Sequence, residues 1–387
     1  MSVCGIIAEF NPLHTGHKYL LDKAKEYGTV VCAISSNFVQ RGDTAIFEKR
    51  IRAKSALLNG ADIVVEMPVL WSMSTAQNFA LCGVAQLLEM GCDKIIFGSE
   101  SGDIDALRNC AEILLSNEYE QAIKEKLKSG KTFASIRQET AESLGAQKGV
   151  LEGANNNLAI EYIIAGKKLG FTGEFLTVKR QGAMHDTNDI KEFVSASFIR
   201  EKLKSGDYDF AKEYMPNKTH VFIESDNISD IKNIEQGILA VLRTKQKSDF
   251  KSLPDISEGI ENKLFSAINV AQSLDFLYNE IKVKRYTLSR IRRLVLSAFL
   301  GFDDDFFLKT PPYVRVLGFS KSGEKHLKTV AKASGKIVLC VSEIKELGSD
   351  AQKVFESECK ATDLYALSLP KALPCGLEYA SKLIKTE

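Results

Sequence analysis

The chain has 387 residues, which is longer than a typical single domain and makes two domains the default expectation. Hydrophobic residues make up 44% and charged residues 26%, proportions that are ordinary for a globular protein. The formal net charge is only +1, so the chain as a whole has no strong attraction for nucleic acid, and any RNA contact must come from a local basic patch.

The sequence carries no signal for a membrane or for export. No apolar stretch approaches the ~20 residues that are needed to cross a bilayer, and the apolar run Val3–Ala8 is too short for a signal peptide. Eight cysteines are scattered without a C-x-x-C pair, which argues against a zinc site and for reduced thiols. We therefore expect a cytoplasmic protein with no membrane contact, and we infer neither a protein-bound metal nor a stable protein partner.

Strand-like and helix-like segments alternate through the first two hundred residues. The predicted strands are Val3–Ala8, Thr29–Ile34, Ala61–Glu66, Lys94–Phe97 and Phe175–Lys179. The predicted helices between them are Leu20–Tyr27, Ile46–Asn59, Ala76–Met90, Ile104–Leu115 and Ala159–Leu169. This alternation predicts an α/β fold with a Rossmann-like, doubly wound parallel sheet, in which ligands bind at the carboxyl ends of the strands.

The pattern changes after Arg200, where the alternation stops and helical periodicity dominates. Short mixed segments, Val314–Phe319 and Lys336–Val341, follow the helices. We predict a catalytic domain over residues 1–205 and a mainly helical domain over 206–387, with the boundary near Gly206.

The most informative segment follows the first strand, where Asn11-Pro12 breaks the apolar run and His14-Thr15-Gly16-His17 precedes a helix. The two histidines are three residues apart and share a face of the starting helix. Gly16 lets a phosphate or a base approach the backbone closely, and the first turn offers free N–H groups. The alternative is that both histidines are ordinary turn residues, but the strand before them and the helix after them favour a phosphate site.

A second candidate for phosphate binding is the segment Ser195-Ala196-Ser197-Phe198-Ile199-Arg200. Serines before an amphipathic run are typical N-cap residues, and a helix N-terminus with hydroxyl groups accepts an anion. By itself the segment fits a plain capped helix better, but together with the histidine turn it favours phosphate binding.

These motifs resemble the HIGH nucleotidyltransferase superfamily and, more narrowly, the bacterial tRNA(Met) cytidine acetate ligase family. The resemblance extends from Val3 to about Gly318. Its further segments, in chain order, are Gln40-Arg41-Gly42, Phe97–Asp103, Asn155–Leu158, Arg180 with His185-Asp186, Ser195–Arg200, Lys284–Thr287 and Pro312–Gly318. The histidine turn alone is specific only to the superfamily, whereas the ordered set is specific to the family.

The resemblance implies the roles of individual residues. His14, His17, Ser197 and Arg200 are expected to be catalytic. The nucleotide is expected to contact Ile7, Glu9, Asn11, Pro12, Gly16, Gly98, Asn156, Arg180 and Ser195. The family stretch Pro-Asn-Asn-Ile-Leu-Gly reads Ala-Asn-Asn-Asn-Leu-Ala here, from Ala154 to Ala159, so the choice among Asn155, Asn156 and Asn157 stays open.

Six basic residues within twelve positions, with no acid among them, form a possible RNA contact: Lys282, Lys284, Arg285, Arg290, Arg292 and Arg293. The missing acids favour a contact with the phosphate backbone of tRNA, and Tyr286 lies within the run. The alternatives are a solvated helix face or pairing with distant acids such as Asp303–Asp305. For Arg41, in the loop Gln40–Asp43, a phosphate or tRNA contact and a plain polar loop are equally compatible with the sequence.

The resemblance implies an ATP-dependent ligase that adenylates acetate and transfers the acetyl group to the wobble cytidine of elongator tRNA(Met). Mg²⁺ would accompany the ATP. Positioning and charge neutralisation suffice for such a reaction, and the sequence contains neither a Ser-His-Asp triad nor an activated cysteine. The alternatives are a small-molecule adenylyltransferase of the same superfamily and a noncatalytic RNA-binding protein that holds ATP. The acetate pocket, the basis of tRNA selection and the oligomeric state stay open.

Overall fold

The computed structural model describes residues 2–126, 132–180, 194–256, 259–283, 286–303 and 308–387. Within these ranges the strands are β1 (Val3–Ala8), β2 (Thr29–Ser35), β3 (Phe38–Val39), β4 (Asp43–Thr44), β5 (Ile63–Met67), β6 (Lys94–Ser99), β7 (Glu174–Lys179), β8 (Val314–Ser320), β9 (Ile337–Val338) and β10 (Ile384–Thr386). The segment His185-Asp186, which contributes to the family resemblance, lies outside the described residues.

The α-helices are α1 (Thr15–Lys25), α2 (Lys49–Leu58), α3 (Val69–Ser72), α4 (Ala76–Glu89), α5 (Ile104–Leu115), α6 (Asn117–Lys126), α7 (Phe133–Ser143), α8 (Ala154–Leu169), α9 (Ala196–Lys204), α10 (Tyr208–Tyr214), α11 (Glu235–Arg243), α12 (Ile260–Val270), α13 (Leu274–Ile281), α14 (Leu288–Leu300), α15 (Glu324–Ala333), α16 (Ser349–Tyr365) and α17 (Leu377–Ala380). None of these described helices combines the length and the apolar composition that crossing a membrane requires.

One large sheet runs in the order β10-β8-β5-β2-β1-β6-β7, with β9 beside β8, and β3 and β4 form a separate hairpin. The pairs β1–β2, β1–β6, β2–β5 and β6–β7 are parallel, and β5–β8 is antiparallel. The predicted α/β class is confirmed, with a mostly parallel sheet. The chain runs from β1 through β2 to β5 on one side and continues through β6 to β7 on the other. The sheet therefore has its topological switch point between β1 and β6, where a crevice opens at the carboxyl ends.

Both faces of β1 are covered, which explains why its sequence is apolar without alternation. Ile6 packs in one core cluster with Leu21 of α1 and Leu57 of α2. Ile7 packs in the other core cluster with Leu87 of α4 and with α8. Each fully buried aliphatic side chain stabilises the fold by roughly 1.5–3 kcal/mol, so this double burial fixes the strand whose end carries the histidine turn.

The sheet differs from the predicted domain pattern at β8. Val314–Phe319 is predicted as a short mixed segment of the second domain, yet every residue of β8 is buried and the strand pairs with β5. β8 and β10 cover the side of the sheet that β5 would otherwise leave as an open edge. The sheet thus takes strands from both sides of residue 206, and the boundary between two domains stays a prediction.

Candidate active site

A cavity of about 530 Å³ lies at the carboxyl ends of β1, β6 and β7. The start of α1, the start of α8 and the start of α9 complete its walls. The structure brings most of the predicted site residues to this cavity, namely Ile7, Glu9, Asn11, His14, Gly16, His17, Gly98, Arg180, Ser195, Ser197 and Arg200. Pro12 and Asn156 are buried beside the cavity without lining it.

The two histidines of the turn hold each other and the start of α1. His14 is the N-cap residue, and its Nδ1 accepts the backbone N–H of Gly16 at 3.1 Å. Nδ1 of His17 accepts the backbone N–H of His14 at 3.4 Å, and the ring centroids are 3.8 Å apart. Because each Nδ1 accepts a backbone N–H, we assign the proton of each neutral ring to Nε2; the His17 ring also has a hydrogen bond with the Pro12 backbone. The turn therefore provides two pre-positioned N–H donors in a cavity-lining segment.

Both imidazoles are held in the neutral form. Burial, together with the charges of Arg180 and Arg200, lowers the pKa of His14 from 6.5 to about 4. Burial is also the main reason that the pKa of His17 lies well below its usual value, and His14 and Arg180 add to that effect. A neutral imidazole bonds to an anion through one N–H, so these residues do not need a proton from solvent to bind a phosphate.

The low pKa of His14 predicts a loss of stability in mild acid. The unfolded chain takes up a proton near pH 6.5, whereas the folded chain resists protonation down to about pH 4. Stability therefore falls as the pH decreases through this window, by about 2 kcal/mol at pH 5 for His14 alone. Urea unfolding at pH 7.5 and pH 5 measures this loss, and His14→Asn is expected to lose less stability than the wild type. An equal loss in both proteins would contradict the assignment.

The second predicted phosphate segment is tied directly to the histidine turn. Ser195 caps α9 by accepting the N–H of Phe198 at 3.3 Å. Arg200 donates from Nη1 to the Asn11 carbonyl oxygen at 2.7 Å and from Nη2 to Ser197 Oγ at 3.1 Å. One guanidinium thus joins the N-termini of α1 and α9, two places where exposed N–H groups attract anions.

The three asparagines Asn155–Asn157 make different contacts, which the sequence alone does not distinguish. Asn156 Oδ1 accepts the backbone N–H groups of Glu100 and Ser101 at 3.0 and 3.2 Å. The Glu100 carboxylate in return accepts the N–H of Asn156 at 2.6 Å. Asn155 lines the cavity, and its Oδ1 accepts Nη1 of Arg180 at 2.7 Å. Asn156 therefore fixes the loop after β6, while Asn155 and Asn157 face the cavity.

The apolar wall of the cavity was not predicted from the sequence. It is formed by Tyr19, Leu20, Ala76, Phe79, Phe97, Leu158, Tyr162 and Val178. These residues lie in ordinary amphipathic helices and apolar strands, so nothing in their spacing separates them from core positions. Arg41 also lines the cavity.

The basic run is partly paired within the protein. Arg293 donates to Asp255 Oδ2 at 3.1 Å, and Arg290 donates to the Asp255 carbonyl oxygen at 2.9 Å. Arg292 lies over the Tyr278 ring at 5.5 Å from its centroid. Asp255 is thus a partner of two of these arginines. Of the acids that the sequence offered as alternative partners, Asp304 and Asp305 lie outside the described residues. Lys282 is exposed, and Lys284 and Arg285 lie outside the described residues.

One group of acidic residues within the described ranges has the spacing of a metal site: Glu66, Glu358 and Glu378. The Lys49 ammonium already contacts all three carboxylates, at 2.6 Å from Glu358 Oε1. A side-chain cation therefore occupies the position that a metal ion would take.

Comparison with known proteins agrees with this geometry. A family model described as HIGH Nucleotidyl Transferase matches residues 1–375. The tRNA(Met) cytidine acetate ligase of Thermoanaerobacter sp. (strain X514) is 37% identical over the full length of both chains. The protein of the same name from Clostridium acetobutylicum is 34% identical over 99% of this chain and 100% of its own. Among solved structures, Thermotoga maritima TmcAL bound with alpha-thio ATP superposes with a TM-score of 0.91 at 29% identity, over the whole of both chains.

Proposed function

Because this chain belongs to the tRNA(Met) cytidine acetate ligase family within the HIGH nucleotidyltransferases, we propose that it joins acetate to a tRNA cytidine at the cost of ATP. In the first step a carboxylate oxygen of acetate attacks the α-phosphorus of ATP, forming acetyl-adenylate and releasing pyrophosphate. In the second step the exocyclic amine of the wobble cytidine in elongator tRNA(Met) attacks the acetyl carbonyl, and AMP leaves. The product is N4-acetylcytidine.

The single observation that supports this proposal best is the guanidinium of Arg200, which joins the histidine turn to the start of α9. In the proposed complex the Nε2–H groups of His14 and His17 donate to phosphate oxygens of ATP. Ser195, Ser197 and Arg200 bind the terminal phosphates. These donors are already in place before the reaction, so they stabilise the charge that develops on the departing pyrophosphate without further reorganisation.

The remaining nucleotide contacts are assigned to the walls of the cavity. We assign Ile7, Glu9, Asn11 and Gly16 to the β1 wall, with the buried Pro12 shaping the turn. Gly98 and Arg180 are assigned to the β6–β7 wall. A Cβ atom on Gly98 would lie 3.1 Å from Arg180 Cγ, so glycine leaves room for the arginine at this point. Asn155 is the better candidate for a direct contact, and Asn156 acts by positioning the loop that contains Glu100.

Mg²⁺ is proposed to enter with the nucleotide. Mg²⁺ prefers phosphate oxygens, water and one or two carboxylates. Glu9 is the acidic side chain among the described residues that line the cavity, and its Oε1 accepts the N–H of Gln40 at 3.0 Å. The donor set fits an ion that the phosphates carry rather than a site built by the protein, and the ion would neutralise phosphate charge.

The basic run is proposed as part of the tRNA contact. Lys282, Lys284, Arg285 and Arg292 are assigned to the RNA backbone, whereas Arg290 and Arg293 combine that role with holding Asp255. ATP and tRNA are found in the cytoplasm, and we therefore expect the protein to act there.

The proposal is tested by incubating the protein with ATP, labelled acetate and bulk tRNA, and digesting the tRNA to nucleosides. We expect labelled N4-acetylcytidine, together with AMP and pyrophosphate, and acetate-dependent exchange of pyrophosphate into ATP. An elongator tRNA(Met) transcript with uridine at the wobble position is the matched control and should stay unlabelled. A dinucleotide product would instead identify a small-molecule adenylyltransferase, and the absence of exchange would identify a noncatalytic RNA-binding protein.

A further inference from the structure

The turn between β3 and β4, residues 40–42, connects the cavity to the basic helix α14. Gln40 donates its N–H to the cavity residue Glu9 at Oε1, at 3.0 Å. Arg293 of α14 donates from Nη1 to the Gln40 carbonyl oxygen at 3.2 Å. The turn is therefore held by hydrogen bonds on both sides, one to the cavity wall and one to α14.

Gly42 shows how tightly the turn packs on α14. Its φ is +72°, and a Cβ atom there would lie 2.6 Å from Arg292 Cβ and 2.7 Å from the Arg293 backbone nitrogen. Backbone atoms of a buried helix cannot move aside as the end of a flexible side chain can. Only glycine satisfies both the backbone conformation and the close approach at this position.

Arg41 stands at the tip of this turn with its side chain exposed and in the wall of the cavity. Among the residues that the structure describes, no carboxylate lies within ion-pair distance of Arg41 or of Arg292. Burial lowers the pKa of Arg200. The Arg41 charge also lowers it, whereas the charges of Glu9 and Asp43 raise it. Among the described residues Arg41 therefore has no carboxylate partner and lines the same cavity as the Arg200 cation, an arrangement that suits the binding of a phosphate.

We infer that the turn 40–42 guides the RNA strand from α14 into the cavity, and that Arg41 binds a backbone phosphate next to the nucleotide whose base enters. This inference rests on the proposed function for the identity of the strand. The same phosphate chemistry would also suit the terminal phosphate of ATP. The RNA backbone is favoured because Arg41 belongs to a surface that continues onto α14, whereas Ser195, Ser197 and Arg200 already face the ATP phosphates in the proposed complex.

The test measures tRNA binding without ATP, over a series of salt concentrations, for the wild type and Arg41→Gln. We expect the Kd to rise about three- to tenfold at 0.1 M salt, and the log–log salt slope to fall by about 0.7–0.9, which corresponds to one lost phosphate contact. Arg41→Lys should recover most of the affinity. Lys332→Gln is the control, because α15 lies on the side of the sheet away from the cavity, at the amino ends of the parallel strands. There the His326 ring of α15 contacts the Met90 carbonyl oxygen, just before β6. Weaker ATP binding with unchanged tRNA binding would overturn the inference and assign Arg41 to ATP.

A second pair of variants tests the contact between the turn and α14. Gly42→Ala should raise the Kd for tRNA at least about threefold, because the new Cβ pushes the turn away from Arg292. Gly170→Ala introduces the same backbone strain, at φ +73°, with nothing within 4 Å, and should keep full tRNA affinity. Equal affinities of the two variants would contradict the guiding role. A wild type that binds tRNA but exchanges no pyrophosphate would reject the proposed function while leaving this comparison intact.

Discussion

His14→Asn is expected to slow acetyl-adenylate formation by about 100-fold or more while leaving α1 in place. Asparagine is among the best N-cap residues, so its side chain can still accept the N–H of Gly16 that His14 now accepts. The change removes the Nε2–H group, which in the proposed reaction donates to a phosphate oxygen. Loss of one pre-positioned donor of this kind typically costs about 100- to 1,000-fold in rate.

Acetate-dependent pyrophosphate exchange measures this effect in the absence of tRNA. Thermal unfolding at pH 7.5, where His14 is neutral in both the folded and the unfolded chain, reports whether the fold is intact. His326→Asn provides a matched histidine change outside the cavity, because the His326 ring contacts the Met90 carbonyl oxygen at 2.8 Å. Full exchange activity in a folded His14→Asn protein would make His14 a structural cap and remove it from the proposed mechanism.

The sequence was most informative where local rules and the fold agree. β1 and α5 have the predicted bounds, because an apolar run and an Asp103-capped amphipathic segment define their own ends. α1 begins at Thr15, five residues before the predicted start. The reason is that His14, which is not a common N-cap residue, supplies the cap through Nδ1. The sequence placed the motif at the start of a helix as a ligand site, but it did not predict that His14 caps that helix.

The features that could not be predicted from the sequence depend on contacts between distant parts of the chain. β8 has the composition of a strand, but its pairing with β5 joins residues about 250 positions apart, and no local pattern encodes such a pairing. The basic run contains no acid, yet Asp255 lies 38 positions before Arg293 and pairs with it. The different positions of Asn155 and Asn156 depend on Glu100, which lies just past the end of a different element, β6.

Lys49 is the centre of a buried charge network that joins distant parts of the chain. It is fully buried on α2 and contacts Glu66 of β5, Glu358 of α16 and Glu378 of α17. Arg315 of β8 joins the same network at 2.5 Å from Glu378 Oε2. Burial, together with the Glu66 charge, raises the pKa of Glu358 to about 7. Three buried carboxylates thus share two buried cations, so removing one cation leaves charge that has no solvent to stabilise it.

Lys49→Met is therefore expected to lower the free energy of unfolding by about 3–5 kcal/mol at pH 8. The loss should be smaller at pH 5. The pKa of Glu358 is raised from 4.5 to about 7 in the folded chain, so at pH 5 this carboxyl is protonated and leaves no buried charge for Lys49 to compensate. This stabilising protonation is lost as the pH rises through 7. Urea unfolding at the two pH values measures the difference, with Lys54→Met on the exposed face of α2 as the control. Glu358→Gln added to Lys49→Met should restore part of the stability, because it removes one of the uncompensated charges. If Lys49→Met lost no more stability than Lys54→Met, the network would contribute nothing to joining α16 and α17 to the sheet.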